Sequence, residues 1–179
     1  MTVRIGCIVE GHGESESVPI LIRRIACRLD PGLDVRIPHP IRITKSKLLR
    51  PGELEKAVEL AAMNAGRNGG ILVLLDSDDD CPAELAPQLL ARTRSARNDL
   101  PSAVILAKTE LESWFLAAAE SLGGHGGFPG DLEPPHDTEA IRGAEGMAGN
   151  ASSPTGAVVL FAPGPRLAAP TLRTSPQSK

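Results

Sequence analysis

The chain is nearly without aromatic side chains: one Trp, three Phe and no Tyr stand among 179 residues. An aliphatic core follows, and the aromatic platforms on which single-stranded nucleic acid is commonly stacked are excluded. Cysteine is scarce as well. Cys7, Cys27 and Cys81 are odd in number and lack paired spacing, which argues against a disulfide framework or a zinc site and predicts free, buried thiols in a reducing compartment. No run approaches the ~18 apolar residues of a membrane span, and the N-terminus lacks the layout of a secretory signal, so a soluble cytoplasmic protein is expected. A net charge of -3 provides no global attraction to nucleic acid and leaves only local patches to supply one.

What the sequence does contain is a pair of acidic clusters, each placed directly after a short apolar run. VRIGCIVEGHGE ends in Glu10 and Glu14, and GGILVLLDSDDD ends in Asp76, Asp78, Asp79 and Asp80. Runs of this length suit buried parallel strands, whose carboxyl ends form the ligand-binding edge of an open α/β sheet. Carboxylates gathered at such an edge call for a cation.

The remaining pattern supports that architecture. Strands are predicted over 3–9, 34–43 (interrupted by Pro38 and Pro40, hence an edge or irregular position), 71–75 and 102–107. Helices are predicted over 15–29, from Pro51 and Gly52 to Gly66, over 83–97 with Pro87 weakening its start, and over 110–121; Pro19 falls early in the first. Strands alternating with helices imply an α/β fold with a mostly parallel sheet of about four strands. After Leu122 the character changes. GGHGGFPGDLEPP has five Gly and three Pro in thirteen residues, and from Gly143 onward seventeen of thirty-seven residues are Ala, Gly or Pro, with Glu145 the only acid. The expected organisation is an α/β domain over 1–122, a Gly/Pro-rich linker over 123–142 and an irregular tail over 143–179, in which AVVLF is the one apolar run.

Each motif has a plain reading beside its chemical one. Glu10 and Glu14 make an E-x-x-x-E element across a glycine turn, yet Glu14 also opens a helix, where the dipole alone favours an acid. Asp76 and Asp78 form a D-x-D element suited to Mg²⁺, while Asp79 points outward and Asp80 caps the following helix. Lys108, Glu110 and Glu112 follow the last strand; a lysine there can neutralise a phosphate oxygen and a carboxylate can act as base, or Thr109 simply caps a solvated helix start. Trp114 and Phe115 read as core. Arg36, Arg42, Lys45, Lys47 and Arg50 form a basic run that either steers a phosphate backbone or makes a solvated face.

Three segments, IVEGHGESE, LLDSDDDCP and AKTELESWFLAAAESL, together resemble the Toprim-like bacterial proteins grouped as domain-of-unknown-function family 4276. The resemblance covers roughly residues 3–142 and stops near IRGAEGMAGNASSPTG, so the tail is expected to be divergent or aberrant. It implies a Toprim-like, Rossmann-like fold in which Glu10, Asp76 and Asp78 bind Mg²⁺ or Mn²⁺. It further implies that Glu14, Lys108 and Glu110 join them in cleaving or transferring phosphodiesters, with nucleic acid as substrate; the basic run offers Arg42, Lys45, Lys47 and Arg50 as candidate contacts to its backbone. By the same analogy an AAA-type ATPase is an expected partner in a defence or repair system. Two other functions fit the D-x-D element: a haloacid-dehalogenase-like phosphatase with Asp76 as nucleophile, and a non-catalytic metal-binding regulatory subunit of an ATPase-containing complex.

Overall fold

The chain is described by a computed structural model over residues 2–118 and 136–138, and for the backbone alone over 158–162. Eleven elements lie in those residues. They are β1 (Thr2–Val9), α1 (His12–Leu29), β2 (Asp34–Arg36), β3 (Ile41–Arg42), α2 (Lys45–Leu48), α3 (Glu53–Ala65), β4 (Gly70–Asp76), α4 (Pro82–Ala96), β5 (Ser102–Ala107), α5 (Glu112–Ala117) and β6 (Val158–Ala162). The sheet runs β2-β1-β4-β5-β6, with β3 continuing beside β1 beyond β2. Every pairing is parallel except β5 with β6. The expected α/β, Rossmann-like architecture with a mostly parallel sheet is therefore the observed one.

The apolar runs form central strands because both of their faces are covered. Alternation sends Ile8, Ile71, Val73, Leu75, Val104 and Leu106 into one cluster with Leu54, Val58 and Ala61 of α3 and Ala86 and Leu89 of α4. The intervening Cys7, Val9, Leu74 and Ala107 enter a second cluster with Val18 and Ala26 of α1, Val35, and Leu111 and Trp114 near α5. Two layers of helix thus sandwich the sheet, and neither cluster needs an aromatic centre. Gly6 permits the closest approach in this packing: a Cβ there would collide with the backbone carbonyl of Ala61 in α3.

Several boundaries differ from the sequence reading. The expected strand over 34–43 divides into β2 and β3, with Pro38 and Pro40 in the break. Helix α1 starts at His12, which leaves Pro19 in the helix interior, where it removes a backbone donor, not in the tolerant first turn. Short α2 arises within the basic run and is anchored by Leu48, which is fully buried. Cys7 is buried, as expected of a free thiol, but Cys27 and Cys81 are exposed. Of the tail expected to be irregular, the AVVLF run contributes β6, which adds antiparallel to β5. The 123–142 linker and the rest of the tail fall almost wholly outside the described residues, as does the side chain of Phe115.

The topology places one point of special use. From β1 the chain crosses to β2 and β3 on one side, then returns past β1 to β4 on the other. The carboxyl ends of β1 and β4 therefore flank the switch point at which an open α/β sheet forms its crevice.

Candidate metal centre

Glu10 follows the last residue of β1, and Asp76 is the last residue of β4. Parallel pairing of the two strands, in which Ile8 lies opposite Val73, brings both carboxylates to the same edge. Alternation nevertheless directs them to opposite faces. Glu10 Oε1 accepts a hydrogen bond from the backbone N–H of Lys45, 2.8 Å away, at the start of α2. Asp76 Oδ1 accepts one from the N–H of Leu111, also at 2.8 Å, ahead of α5. Each strand-end acid is thus held by one backbone donor on its own side of the sheet.

Glu10 Oε2 is buried and makes no hydrogen bond. Burial raises the Glu10 pKa above the ordinary glutamate range; the Lys45 N–H opposes this, and the charges of Asp78 and Glu14 add to it. Asp76 is pushed further, to about 7, chiefly by burial, with the Leu111 N–H opposing and Glu14, Glu112 and Glu10 all repelling its charge. Glu14, in the first turn of α1, is 6% exposed. Gly11 makes room for it, since a Cβ on Gly11 would collide with Glu14 Oε2. Glu10, Glu14, Asp76 and Glu112 consequently share one electrostatic environment at the switch point.

Asp78 follows a different course. The turn after β4 is fastened to the end of β5: the Ser77 N–H donates to the Ala107 carbonyl at 2.8 Å, the Asp78 N–H to the Thr109 carbonyl at 3.1 Å, and the Thr109 N–H to Ser77 Oγ at 3.1 Å. Asp78 and Thr109 both adopt positive φ, 48° and 60°, a conformation uncommon for residues other than glycine and often found at functional sites. The Asp78 carboxylate pairs with Lys45 Nζ, which also donates to the Ser77 carbonyl at 2.8 Å and contacts Asp80 Oδ2 at 3.1 Å. Among the described residues no three acid, histidine or cysteine side chains are already grouped to hold a metal ion. The reason lies in these attachments: backbone donors hold Glu10 and Asp76 on opposite faces, and an ammonium group holds Asp78.

The other expected site residues divide. Lys108 is exposed and Glu110 half-buried, both in the β5–α5 connection beside the same edge; Glu112 lies in the first turn of α5. His12, the first residue of α1, is exposed. Arg42, Lys47 and Arg50 are exposed, with Lys47 3.8 Å from Glu53. Lys45 departs from the expected basic surface, for it is buried and directed at the acidic turn. Asp80 does not cap α4: Cys81 is the capping residue, with no side-chain bond, and Asp80 faces Lys45 instead. Thr109 donates its backbone N–H to Ser77 Oγ, and α5 begins three residues later, at Glu112.

The residue that sequence reasoning misjudged is therefore Lys45. Its only local signal is Leu48, whose burial fixes α2 against the core and turns Lys45 inward. Comparisons with protein-family models, with curated proteins and with solved structures found no match for this chain.

Proposed function

We propose that this chain is a Toprim-like, divalent-metal-dependent nuclease or phosphotransferase acting on phosphodiesters. The observation that carries the reading is the buried, unpartnered Oε2 of Glu10, at the end of β1 beside the switch point, with Asp76 at the end of the neighbouring β4. A carboxylate oxygen removed from water without a donor is costly, and a cation is the group that would repay both it and the crowded charge around Asp76. Glu10, Asp76 and Asp78 are the residues that would hold Mg²⁺ or Mn²⁺. When bound, such an ion activates water and stabilises charge on phosphorus oxygens during in-line displacement.

The chain's own residues supply the rest. Lys108 would neutralise a phosphate oxygen, and Glu14 or Glu110 would accept the proton of the attacking group. The exposed Arg42, Lys47 and Arg50, on β3, α2 and the turn after it, would contact a nucleic-acid backbone. A nicking assay on DNA and RNA with Mg²⁺ or Mn²⁺ tests the proposal: cleavage by the wild type should fall at least ~100-fold in Asp76→Ala. Equal activity in the two proteins would overturn it.

One observation favours a second reading. With Asp78 already engaged by Lys45 and no ligand group preassembled among the described residues, the chain fits a metal-responsive regulatory subunit, with an ATPase as the proposed partner. Metal binding without cleavage of any nucleic-acid form, together with copurification of an ATPase, would favour it over the enzyme.

A further inference from the structure

Lys45 is a buried cation whose ammonium group meets its partners on one turn, the one after β4. Its side chain is 11% exposed and reaches the Ser77 carbonyl, Asp78 and Asp80, while its backbone N–H holds Glu10. One residue thus touches both acidic clusters, with its main chain on the first and its ammonium group on the second. Burial works against that charge, but the bonds to Asp78 and Asp80 more than offset it and raise the lysine pKa.

We propose that Lys45 is a tethered counter-ion that competes with a divalent cation for Asp78. The inference rests on the metal-binding reading above. The geometry supplies a route for exchange. Asp78 and Asp80 are each about half exposed, their side chains 51% and 50% accessible, so a solvated ion can reach Asp78 while the ammonium group keeps Asp80 and the Ser77 carbonyl. The amine need not be expelled from the site; it gives up one of its three acceptors. In the absence of metal, Lys45 keeps the turn after β4 closed against α2 and prevents the acids from repelling one another. In its presence, the displaced positive charge stays at the edge where a phosphate would arrive.

Calorimetric titration of the full chain with Mn²⁺ tests this. Lys45→Gln should bind about tenfold tighter than the wild type, because a charge touching the ligand carboxylate has been removed. Lys45→Arg, which keeps the charge, should stay close to the wild type. Lys56→Gln removes an equal charge from the surface of α3, where Lys56 pairs with Glu53, and measures the effect of net charge alone. Lys45→Gln binding no tighter than Lys56→Gln overturns the proposal while leaving the metal site standing. No Mn²⁺ binding by any folded variant, wild type included, overturns both. Should Lys45→Gln fail to fold, nitrogen-15 spectra of the lysine ammonium groups in the wild type decide the matter. Mg²⁺ should shift the Lys45 signal, and binding without any shift overturns the competition.

Discussion

At the scale of single residues, Asp76 combines burial with like charge on several sides, and this makes its folded carboxyl hold a proton up to about pH 7. An unfolded aspartate releases that proton near pH 4. Between these values the folded state binds more protons than the unfolded one, so this group's contribution to stability declines as pH rises through the window and levels off above it. Asp76→Asn keeps an acceptor for the Leu111 N–H and removes the charge. Thermal unfolding should show a shallower fall in stability from about pH 4 to 7 in the variant, and a gain at pH 8 of about 1–2 kcal/mol after allowance for partial solvent screening. A second residue-scale test concerns Ser77, which is 1% exposed and whose Oγ accepts the Thr109 N–H. Ser77→Ala leaves that buried donor without its partner and should cost about 1–3 kcal/mol in urea denaturation. Of these features the sequence displayed the acids themselves. It did not display which face each acid would take, because that depends on the strand-end alternation and on backbone donors 35 residues away in chain number.

At the scale of elements, legibility followed the covering of faces. Strands β1, β4 and β5 could be read from continuous apolar runs because helices cover them on both sides. Helices α3 and α4 could be read from the spacing of Leu54, Ala57, Val58 and Ala61 and of Ala86, Leu89 and Thr93. Four-residue α2 could not, since KSKL offers one apolar residue and the rest resembles a solvated basic stretch. Gly6 belongs at this scale too. Nothing local in TVRIGCIV distinguishes it from a replaceable small residue, yet it is where β1 meets the backbone of α3. Gly6→Ala should destabilise the chain by about 3 kcal/mol, because the obstructing atom is a carbonyl that cannot rotate aside. The midpoint of chemical denaturation checks this, and Ala57→Gly in α3, a change that opens space instead of filling it, should cost about 1 kcal/mol from helix propensity before any packing loss.

For the whole molecule the question is how two acidic clusters more than sixty residues apart come to lie at one edge of the sheet. A ligand that binds the folded state alone raises the unfolding temperature by mass action. On the proposed reading, about 10 mM Mg²⁺ at pH 8 should raise the wild-type midpoint by about 2 °C or more, and should leave Asp76→Ala unmoved. No helix among the described residues is long and apolar enough to cross a membrane, in keeping with the absence of such a run from the sequence. By itself the sequence determined the class of the fold, the aliphatic character of its core and the identity of the acids at the strand ends, because these depend on local period and composition. Only the tertiary structure decided that β1 and β4 are neighbours across the switch point, that β6 pairs antiparallel with β5, and that Lys45 lies buried between the clusters. Those outcomes turn on pairings between distant parts of the chain, where what counts is which charges and backbone groups meet once water has been excluded.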